Sequence, residues 1–355
     1  GQKNIAIGRN ALGGEDTGSK NVAIGHNALK VANYDGDGYN VAVGYEAGNA
    51  VTTGTLNTVI GGLAGDALTT GSSNTVLGYE ALTAETTGQY NVAIGREALR
   101  YSALSNKSIG IGYAALSVQA NNPLTDTYNI AIGHIAGGAI TTGVQNTLIG
   151  SLAGDALTTG NYNVALGAYA LSSEDTGSGN VAIGREALEN QNYDGTAYNI
   201  AIGYQTGKYI TTGTNNTIVG GLAGDALTTG IQNVAIGRDA LTSEDTGNKS
   251  VAVGSFALQT QNYDGDAYNV AVGHDAGKSV TTGVQNTLVG AQAGDSLTTG
   301  TNNVAIGFEA LATEDEHSFN VAVGHRALKT QNAGASAYNT AVGYNTGLNV
   351  TTGIA

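Results

Sequence analysis

The chain alternates short apolar stretches with polar turns at a nearly fixed interval. A representative apolar stretch is Asn91-Val-Ala-Ile-Gly95, where branched and small side chains occupy alternate positions. Because successive side chains of a strand point to opposite faces, we expect Val92 and Ile94 on one face and Ala93 on the other. The pattern predicts a short β-strand whose branched face fills the core. The small face would then accept a close neighbour, such as a second chain.

This stretch recurs twenty times along the chain. Its first residue, here position 0, is Asn in all but two copies, and most copies lie 17 residues apart, with four steps of 19 and one of 21. A period this short is typical of one coil of a β-solenoid, and it cannot hold a helical hairpin or a propeller blade. The sequence therefore predicts an all-β fold, a parallel β-solenoid or β-roll of about twenty coils of 17–19 residues. We expect residues 1–355 to form one continuous repeat domain, a segment of a longer chain.

Each coil continues from its strand into a corner. Position 4 is Gly in every copy, which indicates a positive φ or a close backbone approach. Position 5 is often bulky and polar, as in Arg238 and His274, and is expected to be exposed, whereas Ala at position 7 and Leu at position 8 point inward. Stacking of equivalent positions about 4.8 Å apart would align the Asn side chains into a hydrogen-bonded ladder.

A longer period is superimposed on the coils. Position 8 reads Leu, Gly, Gly, Leu over four coils, and one coil of each four has 19 residues. Residues 180–249 and 250–319 are two copies of this 70-residue super-repeat.

Composition restricts the class of protein. The 55 Gly residues show no three-residue period, which excludes collagen, and the lack of Cys excludes disulfides and Cys-based metal sites. The net charge of −14, with no basic cluster, disfavours nucleic acid and anionic membrane surfaces as partners. The apolar stretches are too short to span a bilayer, so no membrane insertion is expected within this segment. We expect no cofactor.

The repeated Asn-Val-Ala-Ile-Gly-x-x-Ala, closing in Gly-x-x-Asn, resembles the head repeat of trimeric autotransporter adhesins, the YadA-like heads. It also resembles repeats of phage tail-fibre proteins. The resemblance covers essentially the whole chain, although the coils here are longer than those of the adhesin repeat. It implies a left-handed parallel β-roll, a homotrimer with three chains side by side, and a cell-surface role in adhesion to host matrix or cells.

From these observations we expect a non-catalytic structural or adhesive protein. It would be the head or shaft of a cell-surface adhesin, an extracellular fibre, or a phage tail fibre on a virion. Its partners would be copies of itself, in a homotrimer or filament, and a host-surface protein or glycan.

The Glu-Asp pairs and the Thr-Thr-Gly turns each suggest another function. Glu-Asp pairs such as Glu244-Asp245 could supply the two carboxylates of a tailspike depolymerase, but they recur with the repeat, which favours solvated loop charge. The recurring Thr-Thr-Gly could form an ice-binding face, but every long coil interrupts that ladder.

Regularly spaced tyrosines are the candidate binding surface. They lie just before five coils and could contact a glycan or protein, or pack against a neighbouring chain. These residues are Tyr39, Tyr128, Tyr198, Tyr268 and Tyr338.

Two sets of residues have side chains that could bind a metal. Calcium could bind the Tyr-Asp-Gly-Asp turns through Asp35 and Asp37, and again through Asp264 and Asp266, although Asp-Gly also favours a plain surface turn. Four of the five His residues share position 5, and no His pair has metal-ligand spacing within a coil. We therefore expect no metal site built on His.

Overall fold

Every coil contributes one three-residue strand, and these strands stack in parallel. The computed structural model describes residues 1–353, apart from the side chain of Asn122, and over these residues it contains no helix. The fold is the predicted parallel β-solenoid of about twenty coils. Contacts divide the chain into two units, Gly1–Gly179 and Asn180–Ala355.

The first unit contains ten solenoid strands and one additional strand pair. Strands β7 and β9 form that pair, which accompanies the 21-residue coil containing Pro123. The strands are β1 (Ile5–Ile7), β2 (Val22–Ile24), β3 (Val41–Val43), β4 (Thr58–Ile60), β5 (Thr75–Leu77), β6 (Val92–Ile94), β7 (Ala103–Asn106), β8 (Ile109–Ile111), β9 (Ala120–Asp126), β10 (Ile130–Ile132), β11 (Thr147–Ile149) and β12 (Val164–Leu166).

The second unit contains ten strands, one in each coil. They are β13 (Val181–Ile183), β14 (Ile200–Ile202), β15 (Thr217–Val219), β16 (Val234–Ile236), β17 (Val251–Val253), β18 (Val270–Val272), β19 (Thr287–Val289), β20 (Val304–Ile306), β21 (Val321–Val323) and β22 (Thr340–Val342).

Equivalent positions of successive coils pair without a shift. In the second unit Ala235 pairs with Ala252, and Ile236 pairs with Val253, in a parallel ladder. The first unit follows the same rule, as Val92 pairs with Ile109 across β6 and β8. A near-identical sequence in each coil therefore places like residues in columns.

The core lies behind the small face of the strands, so the predicted assignment of the two faces is wrong. Ala93 at position 2 is fully buried, whereas Val92 and Ile94 are only half-buried and point outward. In the second unit Ala235 is likewise buried and Ile236 is 38% exposed. The branched residues are therefore the outer surface of the sheet, and Ala is its inner surface.

The reason is the limited volume inside each coil. Where position 8 is Leu241, position 2 is the small Ala235; where position 8 is Gly224, position 2 is the larger Ile218. Leu227 at position 11 fills the remaining space in the Gly coil. Leu241 and Gly224 share a left-handed φ, of 54° and 51°, so the backbone is the same in both coil types. The Leu-Gly-Gly-Leu order thus combines three ways of filling one interior, because the first Gly coil keeps Ala at position 2, as in Ala201 beside Gly207, and has Ile210 at position 11.

The Asn residues form the predicted ladder. Asn216 Oδ1 accepts the backbone N–H of Asn233 at 2.9 Å, and Asn216 Nδ2 donates to the Gly230 carbonyl at 2.8 Å. Both Asn side chains are fully buried. Each amide therefore satisfies backbone groups that would otherwise be unpaired at the turn.

Glycine at position 4 allows close stacking of the corners. Gly237 has a φ of 133°, and a Cβ there would lie 2.5 Å from the carbonyl oxygen of Gly254 in the next coil. The positive φ and the close approach both exclude residues with a Cβ, which confirms the interpretation of the glycines at position 4.

Candidate binding surfaces

The outward face of the solenoid strands carries a stripe of branched side chains. We define the β-branched stripe as the first and third residues of each three-residue strand. None of these residues is charged, and all are the β-branched residues Ile, Val or Thr except Leu77 and Leu166. Leu77 is 45% exposed and Leu166 is 43% exposed in the first unit, and Ile306 is 38% exposed in the second. Each unit thus presents a continuous apolar strip of a kind that monomeric proteins seldom expose.

The candidate tyrosines lie directly beside this stripe. Each occupies the position before the coil's first Asn, with a positive φ between 50° and 56°. All five are about half exposed or more, from 49% at Tyr39 to 64% at Tyr198. They are positioned to contact a partner, and their role in binding stays a prediction.

Three of the tyrosines belong to a repeated Lys-Asp-Tyr cluster. Lys249 Nζ lies 2.5 Å from Asp266 Oδ2 and 3.2 Å from Tyr268 Oη, and it lies 5.2 Å from the ring centroid. The hydrogen bond from Lys249 lowers the pKa of the Asp266 carboxyl, and the same contact raises the pKa of the lysine. Equivalent clusters surround Tyr39 and Tyr128.

The other two tyrosines lack the lysine. Tyr338 stacks on Phe319 with ring centroids 5.1 Å apart, and Ser336 stands where the clusters have Asp. In the coil of Tyr198 that position is Thr196. A charged Lys-Asp pair therefore accompanies three of the five tyrosines and is missing beside the other two.

Each of the four candidate calcium ligands already has a partner within the protein. Asp37 pairs with Lys20 at 2.6 Å, whereas Asp35 accepts a hydrogen bond from Thr17 Oγ1 at 2.8 Å.

The second turn repeats this arrangement. Asp266 pairs with Lys249, and Asp264 accepts a hydrogen bond from Thr246 Oγ1 at 2.6 Å. The two carboxylates of each turn thus have separate partners, an arrangement that suits a surface turn.

Three of the four Glu-Asp pairs are not solvated loop charge, because their Glu residues, Glu174, Glu244 and Glu314, are fully buried. Glu244 is fully buried; its Oε1 accepts the Gly247 N–H at 2.8 Å and its Oε2 accepts Gln261 Nε2 at 2.9 Å. Burial raises the pKa of Glu244, and these hydrogen bonds oppose that effect. Both oxygens serve the turn and are closed to a substrate, so the geometry does not favour a depolymerase.

The two threonines of Thr-Thr-Gly have different roles. Thr211 Oγ1 donates to the Thr228 carbonyl at 3.2 Å, and Thr228 Oγ1 donates to the Asp245 carbonyl at 3.0 Å. The first threonine of most pairs is partly buried, although Thr211 is exposed, and the second threonines, such as Thr212 and Thr229, form the main exposed column. A single column of hydroxyls forms only a narrow surface, which does not favour an ice-binding face.

Position 5 is the exposed corner that the sequence predicts. Tyr45 is 55% exposed and stacks on His26 with centroids 5.3 Å apart. In the second unit His325 stacks between Phe308 and Tyr344, at 5.4 and 5.0 Å. These imidazoles lie in aromatic columns, and none of them belongs to the metal-capable group found within residues 1–353.

Ion pairs at the next corner position were not predicted. Glu186 at position 6 pairs with Lys208 at position 9 of the following coil, at 2.6 Å, and this contact lowers the pKa of Glu186 to about 2. Glu309 makes the same contact with Lys329. The signal was present in the sequence, as opposite charges at positions 6 and 9 of successive coils.

A column of half-buried aspartates was also missed. Asp66, Asp155, Asp225 and Asp295 all lie at position 9 of coils with Gly at position 8. Burial is the main cause that raises the pKa of each. These carboxyls favour the protonated state more than an exposed Asp does.

No protein-family model matches the chain, and no curated protein matches it. Within residues 1–353 there is no helix with the length and apolarity needed to cross a membrane.

Proposed function

We propose that the chain is a non-catalytic structural and adhesive repeat segment of an extracellular fibre or adhesin, in which three copies pack side by side through the β-branched stripe. The observation that carries this proposal is the uncharged, outward apolar stripe on every solenoid strand. The resemblance of the repeat to trimeric adhesin heads supports the number of chains and the extracellular setting.

The residue types of the stripe favour a covered surface. When one face of a sheet is in contact with water, buried apolar residues normally alternate along each strand with polar or charged residues on the exposed face. Here the outward positions are branched and apolar, as in Val251 and Val253, while the inner position is the small Ala252. β-Branched side chains also lose little conformational freedom on packing, because χ1 is already restricted.

The available area is sufficient for a stable interface. Ten strands spaced about 4.8 Å apart give each unit a ladder about 48 Å high. From the tyrosine column to position 5 the face is about 20 Å wide, so each unit offers about 1,000 Å². A stable interface needs about 800 Å² from each partner.

A second and third copy are the occupants that fit best. The partner must offer an uncharged strip with the same coil spacing, and the identical stripe of another copy meets both conditions. Symmetric assembly of identical chains is also the commonest form of soluble oligomer. The flanking tyrosines and the position 5 corners would then lie at the rim, where contacts with a glycan or protein can form.

Light scattering on a size-exclusion column tests the proposal. We expect a particle with three times the 35.5 kDa mass of the chain. The variant Ile236→Lys/Val253→Lys places two charges in the stripe and should convert the trimer to a folded monomer. Thr212→Lys/Thr229→Lys adds the same charge on the exposed turn column and should leave the trimer intact.

Circular dichroism of both variants checks that the solenoid is retained. A monomeric wild-type chain at micromolar concentration would refute the trimer, and filaments would point to end-to-end assembly instead. A trimer that persists in the stripe variant would place the interface elsewhere.

A further inference from the structure

One corner of the second unit differs from its internal copies. It closes the coil that begins at Asn303 and contains Glu314, Asp315 and His317. His317 Nδ1 lies 2.7 Å from Glu314 Oε1 and 3.9 Å from Asp315 Oδ1. One ligand atom from each residue lies within 4.8 Å of the other two.

The imidazole replaces a backbone amide used at equivalent corners. At Gly88, Gly177 and Gly247 the backbone N–H donates to the buried Glu three residues earlier, at 2.7 to 2.8 Å. At the Asn303 corner His317 stands in place of that Gly, and its Nδ1 contacts the same carboxylate oxygen. At this corner the glutamate is therefore contacted by a side chain that can also bind a metal, in place of the backbone N–H of a glycine.

We propose that Glu314, Asp315 and His317 form a binding site for a divalent transition-metal ion such as Zn²⁺ or Co²⁺. One imidazole nitrogen and two carboxylate oxygens are a donor set that suits these ions. Ligand atoms about 2.1 Å from a metal lie about 3.0 to 3.4 Å from one another. The observed separations of 2.7 and 3.9 Å bracket that range, so small side-chain rotations bring the three atoms into place.

The surroundings hold the ligands in position. Glu314 is fully buried, and Gln331 Nε2 binds its Oε2 at 2.9 Å, which leaves Oε1 facing the imidazole. The carbonyl of His317 accepts Asn303 Nδ2 at 3.0 Å, so the backbone of the turn is anchored to the Asn ladder. Such outer contacts orient metal ligands and raise affinity.

Charge favours a cation at this corner. Glu314, Asp315 and Glu316 are three consecutive acids, and in residues 1–353 the salt bridges of the first two are to His317 and to no Lys or Arg. Asp315 is 43% exposed at its side chain, so the open side of the site faces water, which would complete the coordination. This corner can thereby bind a metal where the equivalent corners use a glycine amide.

Isothermal titration with ZnCl₂ in a non-coordinating buffer at neutral pH tests the site. We expect one saturable site per chain, and with CoCl₂ a visible absorption band that reports nitrogen and oxygen ligands. His317→Gly restores the residue found at the other corners and should fold normally, but it should lose the saturable site and the cobalt band. His274→Asn removes an exposed position 5 imidazole and should change neither.

The melting temperature separates binding from a purely structural role of His317. In EDTA the wild-type chain and His317→Gly should melt alike, whereas Zn²⁺ should raise the melting temperature of the wild-type chain only. Absence of zinc binding by the wild-type chain would overturn the proposal. Equal binding by His317→Gly would also overturn it, because His317 would then not be a ligand.

Discussion

Exchanging one way of filling the coil interior for another provides a direct test of the core. Leu288 at position 2 is fully buried, and Gly294 at position 8 of the same coil has a φ of 57°. A Cβ at Gly294 would lie 2.7 Å from Leu288 Cδ2, and the three nearest atoms all belong to Leu288. The double substitution Leu288→Ala/Gly294→Leu converts this pair into the Ala-and-Leu arrangement of the neighbouring coil type, where Leu258 has a φ of 48°.

The single substitutions should each destabilise the coil. Leu288→Ala leaves a cavity in a fully buried site and should cost about 2–5 kcal/mol. Gly294→Leu adds overpacking of about 1–3 kcal/mol to a left-handed backbone cost of about 1–2 kcal/mol. In the double variant the new Leu occupies the space vacated by Leu288, so only the backbone cost and a small misfit against the retained Leu297 remain, together about 1–3 kcal/mol.

Hydrogen exchange measured by mass spectrometry gives the local opening free energy, which suits a repeat fold that can open coil by coil. Peptides covering residues 286–302 should lose protection in each single variant and recover most of it in the double variant. Since both residues face the interior, the mass of the particle should not change. Strictly additive losses would refute the volume-exchange reasoning, because they would mean that the two side chains do not share one space.

Two other predictions follow from single positions. Gly237→Ala should destabilise the second unit by about 2–5 kcal/mol in urea titrations, because its φ is 133° and the new Cβ meets the Gly254 carbonyl, whereas Gly221→Ala, with no atom within 4 Å, should be nearly neutral. Burial raises the pKa of Asp225, so the folded chain binds this proton more tightly than the unfolded chain, and stability from this group falls as pH rises above the ordinary range of Asp. Asp225→Asn should therefore raise the melting temperature at pH 7 and lose that advantage near pH 4; an advantage equal at both pH values would contradict the assignment.

The period of the repeat was enough to predict the fold. A strand of three residues, a Gly corner and a closing turn repeat at a spacing that admits only a short coil, and equivalent positions must then stack. The buried Asn ladder and the exposed position 5 corner follow from the same columns, as Asn216 and Tyr344 illustrate. At these positions the local residue preferences and the stacking of the coils favour the same arrangement, so the sequence is enough to predict it.

The direction of each strand face could not be read from alternation alone. A pattern of branched, small, branched is compatible with either face inside, because both faces are apolar. The deciding quantity is the interior volume shared by positions 2, 8 and 11, which links Ala235 with Leu241, and Ile218 with Gly224 and Leu227. That link was visible as a correlation between coil types, but it becomes a constraint only when these positions are known to face each other.

The burial of the glutamates could not be predicted from the sequence for a related reason. A Glu beside an Asp in a Thr-Gly turn has the composition of a solvated loop, and burial of a carboxylate is costly unless its oxygens are hydrogen-bonded. The donors for Glu244 are a backbone amide three residues later and Gln261 in the next coil, and only the stacking of coils brings that second donor near. The same geometry makes the corner sensitive to the residue in the Gly position. Where that residue is His317, the turn keeps its buried acid and gains a second type of ligand, so a change of one residue in a repeat can add a site without changing the fold.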